Sequence, residues 1–377
     1  MTRTFTRREF AAGLAALAAT PMLSRGDSPG ATSASDAPWL PYPSATIIDG
    51  LSEAFDTGGK IPLPPEDLAA ARESGLTAVN FTVVGPGAGF EEAVRAIAFI
   101  ERAAEEYPER YLLVRKHADI ARAKQTQRLG LIPGFQTTEM LGADLSRIDL
   151  FRNMGVRIIQ MTYNVRNLFG DGCLEPGDAG LSTLGKEAVR RMNALGIAVD
   201  LSHCGTRTTA EAIAVSERPV LITHAGCNAV FRHPRNKDDR ELLAAAERGG
   251  VVGIYLMPYL DGGTGELTPA MFFAHFDHAL KVCGEDHVGI GSDQGVAPIR
   301  DTREYRENLR KEIEDRVRRG VSAPGESPNR PPFIPEWNRA RRMERIAAAL
   351  KARGHADSVI AKVCGGNFDR ALKEIWA

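Results

Sequence analysis

The chain has 377 residues, 43% hydrophobic and 25% charged, enough to bury a full-sized core as one large α/β domain or two smaller ones. Lys and Arg (47) balance Asp and Glu (48) to a net charge of -1, which leaves no long-range field for an anionic partner, and no basic cluster with interleaved aromatics occurs, so nucleic acid is excluded. The five cysteines, Cys173, Cys204, Cys227, Cys283 and Cys364, include no CxxC pair and are odd in number, which excludes a disulfide-built scaffold.

In chain order, Arg7 and Arg8 precede Phe10 and a mild apolar run over 11–23, too short to span a bilayer. Adjacent arginines before a weakly hydrophobic, Ala-rich run resemble a twin-arginine export signal. Residues 1–35 are therefore expected to be a signal and flexible start, and 36–377 a single domain. The expected product is periplasmic or secreted, without a stable membrane anchor.

Eight short apolar or β-branched runs follow, at 45–51, 78–84, 129–136, 156–163, 198–203, 220–224, 251–257 and 287–293. Amphipathic stretches separate them, for example at 65–73, 90–104, 145–153, 185–195, 207–216 and 268–283. Eight β-then-α units in roughly 250 residues match a closed (β/α)8 barrel. An open doubly wound sheet is the rival, but its Gly-rich phosphate turn is missing after the first run, where Asp49-Gly-Leu-Ser-Glu stands. Beyond Asp293 a charged, Pro-rich insertion at about 296–337 leaves the eighth run at the catalytic face, where it is placed either as a lid or as a solvated loop. Residues 340–350, 355–364 and 367–376 read as closing helices.

Two of the runs end in histidine, His203 and His224, and a third ends in Asp293 after Gly-Ile-Gly-Ser. Strand ends are where a barrel gathers its chemistry, and two imidazoles from consecutive units suit one side of a catalytic metal that keeps a position open for water. Asp293 is placed as a general base or a further ligand. His275 and His278, three apart on the helix before the eighth run, are expected to be structural or solvent-facing because that helix lies outside the barrel.

Taken together, Gly155-Val-Arg-Ile-Ile-Gln-Met-Thr-Tyr163-Asn, Gly180-Leu-Ser-Thr-Leu-Gly-Lys, Val199-Asp-Leu-Ser-His203, Pro219-Val-Leu-Ile-Thr-His224, His233-Pro-Arg235-Asn, Asp286-His-Val-Gly-Ile-Gly-Ser-Asp293 and Gly365-Gly-Asn-Phe resemble the membrane (renal) dipeptidase family of the amidohydrolase superfamily. The resemblance runs from about Ala45 to the C-terminus. It implies a zinc pair in a (β/α)8 barrel and hydrolysis of dipeptide-like substrates by metal-activated water. By position it makes His203 and His224 ligands of one metal, Asp293 the acid/base and Arg235 the group that meets the substrate carboxylate, a role suited to a planar guanidinium fork. His233 and Asn164, inside the same motifs, are taken as further substrate contacts.

Four residues, at three strand ends, depart from the family pattern. Its first strand ends Asp-Gly-His-x-Asp, whereas this chain has Leu51 and Glu53; its bridging glutamate is matched by Gln136, and the histidine ending its fourth strand by Tyr163. A neutral amide cannot offset the repulsion of two divalent cations as a bridging carboxylate does. One tightly held zinc is therefore expected rather than two, on His203 and His224, with Asp293, Gln136 or water completing the shell. Glu53 is the nearby carboxylate left for a weak second site, and Glu139 is expected at the surface unless its loop folds back. Tyr163 is placed as a donor to the oxyanion of a tetrahedral intermediate or as a space-filling phenol. The expected function is an exported metal-dependent hydrolase of a dipeptide or related small amide. Its alternatives are a barrel that binds a small ligand without cleaving it, or a one-metal hydrolase or lyase on a non-peptide substrate. A homodimer stays open.

Overall fold

The computed structural model describes residues 37–263 and 265–377. The expected signal at 1–35 lies outside the described residues. Ten strands form one all-parallel sheet: β1 (Ile48–Glu53), β2 (Ala78–Thr82), β3 (Tyr111–Leu113), β4 (Leu129–Phe135), β5 (Ile158–Gln160), β6 (Ala198–Asp200), β7 (Leu221–Ala225), β8 (Val251–Ile254), β9 (Val288–Ile290) and β10 (Gln294–Gly295). Between and after them run α1 (Pro65–Glu73), α2 (Phe90–Glu106), α3 (Ala118–Gln125), α4 (Ser146–Asn153), α5 (Thr183–Ala194), α6 (Thr206–Val215), α7 (Asp239–Glu247), α8 (Pro269–Cys283), α9 (Arg303–Arg318), α10 (Arg342–Ala352), α11 (Asp357–Ala361) and α12 (Asn367–Ile375).

The neighbours run β10-β1-β2-β4-β5-β6-β7-β8-β9, and β9 continues directly into β10, so the sheet closes on itself. β9 and β10 are two halves of one stave, the first paired with β8 and the second with β1. The fold is thus the expected (β/α)8 barrel. β3 is an addition to the expected set. It is three residues long and pairs only the first half of β4 while β5 takes the second half.

The base of the barrel is dry. Ile48, Ala78, Ile132, Ile158, Ala198, Leu221 and Val251, one from each of seven staves, share a buried cluster with Phe368 of α12. Phe368 enters where the staves carry no side chain: a Cβ at Gly50 or Gly289 would stand 2.6 or 2.5 Å from its ring. Local signals set several helix starts. Ser182 caps α5 by accepting from the Gly185 N–H, Asp238 and Glu241 form a capping box on α7, and Thr302 caps α9 through the Tyr305 N–H.

The insertion is a charged helix, α9, followed by irregular chain, as its composition predicts. None of the residues of α9 is buried. The chain after it is tied to the barrel rim by Asn164 Nδ2 donating to the Val321 carbonyl (2.8 Å), His233 Nε2 to Pro324 (2.8 Å) and Arg330 Nε to Gly265 (2.7 Å). All five cysteines are free. No helix among the described residues is long and apolar enough to cross a membrane.

Candidate active site

The C-terminal ends of the staves open into a cavity of about 460 Å3. Six of the residues singled out from the sequence line it: Glu53, Gln136, Tyr163, His203, Arg235 and Asp293. Three others do not. His224 is fully buried one layer beneath, touching His203, while Asn164 and His233 lie behind the wall.

The two histidines meet at their Nε2 atoms, 2.9 Å apart. What each Nδ1 does is set by the groups behind it. Asn164 gives its amide hydrogens to Val321, so its Oδ1, 2.6 Å from His203 Nδ1, accepts from that ring. Thr223 gives its hydroxyl proton to Asp200 (2.7 Å), so its Oγ1, 2.8 Å from His224 Nδ1, also accepts. Assigned from this network, both rings carry the proton on Nδ1 and present an Nε2 lone pair to each other. Burial, then the nearby Arg235, pushes both pKa values well down and keeps the rings neutral. Two facing lone pairs in a dry place repel unless a cation lies between them, so the donor set suits a Lewis acid. Among the described residues, no three His, Cys, Asp or Glu side chains are grouped to hold a metal.

Asp200 organises this arrangement from behind. Its carboxylate accepts from Ser202 N and Oγ and from Thr223 N and Oγ1, and Ser202 Oγ in turn accepts from the His224 N–H (3.1 Å). One carboxylate thereby pins the ends of β6 and β7 and the chain that carries both imidazoles.

Arg235 is 1% exposed and its Nη1 donates to the Ser202 carbonyl (2.7 Å), while its Nε and Nη2 have no hydrogen-bond partner. Leaving such donors buried and unmade costs free energy, and a ligand carboxylate satisfies both at once. Asp293 sits where the last stave breaks, held at φ 56°, a left-handed conformation that a non-glycine residue adopts at a cost, with its N–H donating to Leu51 (3.0 Å). Burial raises its pKa, against Arg235 and Arg316, which lower it.

Tyr163 stacks on His203 with ring centres 4.1 Å apart, and its hydroxyl accepts from Arg316 Nη1 (3.1 Å). Burial raises the phenol's pKa in spite of that arginine. Gln136 donates Nε2 to Thr82 (3.0 Å), which leaves its amide oxygen for the cavity. Glu53 has surface open to cavity solvent yet is walled in by protein; burial, then the carboxylates of Asp293, Glu312 and Asp56, lifts its pKa to about 7.

His233, read from the sequence as a substrate contact, spends both ring nitrogens elsewhere: Nε2 donates to Pro324 and Nδ1 accepts from the Arg235 N–H (3.1 Å). Asn164, read likewise, is occupied between Val321 and His203. Glu139 accepts from the Gly87 N–H (2.7 Å), away from the cavity lining. His275 is buried, bound to the Cys227 N–H and the Leu260 carbonyl, and His278 pairs with Asp239, both outside the site.

The insertion supplies what the sequence reading missed. Tyr305, Leu309, Glu312, Ile313 and Arg316 of α9 line the cavity, so the helix roofs the catalytic end. Their spacing is one helical face, the signal that could have placed them, though dense charge on the other faces masks it. Arg316 makes a two-point pair with Glu326 (2.9 and 2.7 Å), which also accepts from Tyr259 (2.8 Å).

The sequence profile of the membrane dipeptidase family (Peptidase family M19) matches residues 66–323. The chain is 26% identical over 291 residues to the dipeptidase tcpJ of Claviceps purpurea, covering 76% of this chain and 61% of that relative, so it spans about three-fifths of that protein's length. Its fold is similar to a crystal structure of an amidohydrolase from Pseudomonas aeruginosa, with a TM-score of 0.76, 31% identity, and 89% of this chain and 98% of that one covered. It is also similar to a metallo peptidase from Rhodobacter sphaeroides, solved with a phosphinate mimic of L-Ala-D-Ala, at a TM-score of 0.70 and 20% identity over 88% of this chain and 99% of that one. With the profile covering well over half of its length and the barrel carrying the site at its expected end, the chain belongs to the membrane dipeptidase family.

Proposed function

We propose that this protein is an exported, metal-dependent hydrolase of dipeptidase type that holds one zinc through His203 and His224. The observation that carries the reading is that one cavity joins a buried arginine with two unsatisfied N–H groups to His203, whose Nε2 lone pair meets that of His224 buried beneath it. When bound, the metal supplies Lewis acidity, polarising a carbonyl and acidifying water. Arg235 binds the substrate carboxylate through Nε and Nη2 while Ser202 holds its Nη1 in place. Asp293, with its pKa raised by burial, takes up a proton at its carboxylate and returns it to the leaving nitrogen. The Tyr163 hydroxyl accepts from Arg316, so its own proton is free to meet the developing oxyanion. His233 and Asn164 position Arg235 and His203 respectively. Gln136, neutral, and Leu51, apolar, give no anionic support to a second cation, and Glu53 alone could serve a weak one.

Metal analysis of protein purified without chelator, with turnover of L,L- and L,D-dipeptides under added zinc, tests this on the wild type and on His203→Ala. About one equivalent and turnover, both lost in the variant, are expected; two tightly bound equivalents would refute the single site. A second reading, a barrel that binds its ligand without cleaving it, is favoured by the lack of a third grouped ligand among the described residues. Dipeptide binding without turnover under any metal would select it. Export rests on the Arg7-Arg8 leader. Cell fractionation should find the R7K/R8K chain retained in the cytoplasm, and unaltered export of it would remove that part.

A further inference from the structure

The charges lining the cavity are separated. Arg235 is anchored to the carbonyl of Ser202, just beyond β6, which is the fifth of the eight staves. Glu53 ends β1, the first stave, four staves away from β6 in the strand order. Glu312 descends from α9 onto the same cavity and acts electrostatically on Glu53. Neither carboxylate has a hydrogen-bond donor or a cation paired with it among the described residues, whereas the cavity's Arg316 and Arg330 are committed to Glu326 and Asp261. Arg235 is 1% exposed and keeps two N–H groups unmatched. Both carboxylates keep exposed surface at the wall of this cavity, and a cation placed between two like charges offsets their repulsion. A molecule that crosses the cavity with its carboxylate on Arg235 brings its other end to this pair.

We propose that Glu312 and Glu53 form a cation-recognising subsite, so that the preferred substrate is a dipeptide whose first residue carries a basic side chain, lysine or arginine. The proposal rests on the dipeptidase reading and adds the substrate class to it. A cavity of about 460 Å3 lies in the range that accepts a drug-sized ligand, which leaves room for a long side chain beneath α9. Glu312 belongs to the inserted helix and Glu53 to the first stave, so the selectivity depends on the insertion being seated over the barrel.

The test is calorimetric titration of the full-length protein stripped of metal, so that no probe is consumed, with Lys-Ala, norleucyl-Ala and Glu-Ala. Norleucine keeps the length of lysine without its charge. Lys-Ala should bind about tenfold more tightly than norleucyl-Ala, the ratio expected of one well-made charge contact, and Glu-Ala most weakly. Added salt should narrow the gap. Glu312→Gln should erase most of the preference and Glu312→Lys should reverse it in favour of Glu-Ala, with an unchanged thermal midpoint showing that both variants fold. Arg235→Met should weaken all three probes together. Equal binding of the three by the wild type, or a preference for Lys-Ala that survives both Glu312 variants, overturns the cation subsite and leaves the dipeptide reading standing. Failure of all three to bind overturns both.

Discussion

The chemistry of the two histidines is decided by residues that never face the cavity. Asn164 and Thr223 are acceptors because their own protons are committed, to Val321 and Asp200, and that commitment turns both Nε2 lone pairs inward. His203, His224 and Asp293 stood out in the sequence because each lies at or just beyond a strand end, where barrels gather function, whereas Arg235, well past the end of β7, stood out only through its motif. Asn164 and His233 were visible as motif members, but not their orientation: each adjoins or nearly adjoins a cavity residue, and neighbours along a chain do not point the same way. Asp49 offers a direct pH test at this scale. Burial raises its carboxyl to about 6, against hydrogen bonds from Ser292 and Leu51 that lower it, so the folded state binds its proton more tightly than the unfolded chain does. The stability it contributes is therefore fully present below about pH 4, the ordinary carboxylate range, and is lost as pH rises through about 6. Asp49→Asn cannot titrate, so the thermal midpoint of the variant relative to wild type should rise between pH 4 and pH 7. A midpoint difference that is flat across that interval would contradict the assignment.

Among the elements, α9 is the one whose sequence gave least warning of its place. Its exposed faces carry pairs such as Arg303–Glu307 at i,i+4, the pattern of a solvated helix, and they conceal the cavity-facing row. β3 escaped for a different reason: it lies against the first half of β4 alone, outside the repeat of eight staves. The position of α9 depends on Glu326, which receives Arg316, Tyr259, Ser322 Oγ and the Ala323 N–H. The Arg316 and Glu326 side chains are 17% and 8% exposed, so removing one partner leaves the other largely buried and unpaired. Glu326→Ala should cost on the order of 3 kcal/mol, confined to the insertion. Hydrogen exchange should quicken over 303–330 and stay unchanged in the barrel strands; uniform quickening would show that the latch supports the whole fold instead.

At the scale of the whole molecule, the barrel has a wet, charged end and a dry end closed by Phe368. The eight-stave count was readable because the staves lie in apolar or β-branched runs separated by amphipathic stretches, but the plug was not: Gly50 and Gly289 look like ordinary strand glycines until the ring that occupies their place is seen. Phe368→Ala should destabilise by about 3–5 kcal/mol, read as a lower unfolding midpoint, while ligand affinity at the opposite end stays the same. A loss of affinity matching the loss of stability would mean that the two ends are coupled.

The plug also orders events in time. Every stave has been synthesised before residue 368 leaves the ribosome, so a growing chain can assemble strands and helices but has nothing to seat beneath them. Completion of the cylinder consequently waits until the last stave and α12 have both been made, and until it occurs the ring of aliphatic side chains at the floor is an open greasy surface for a chaperone to cover.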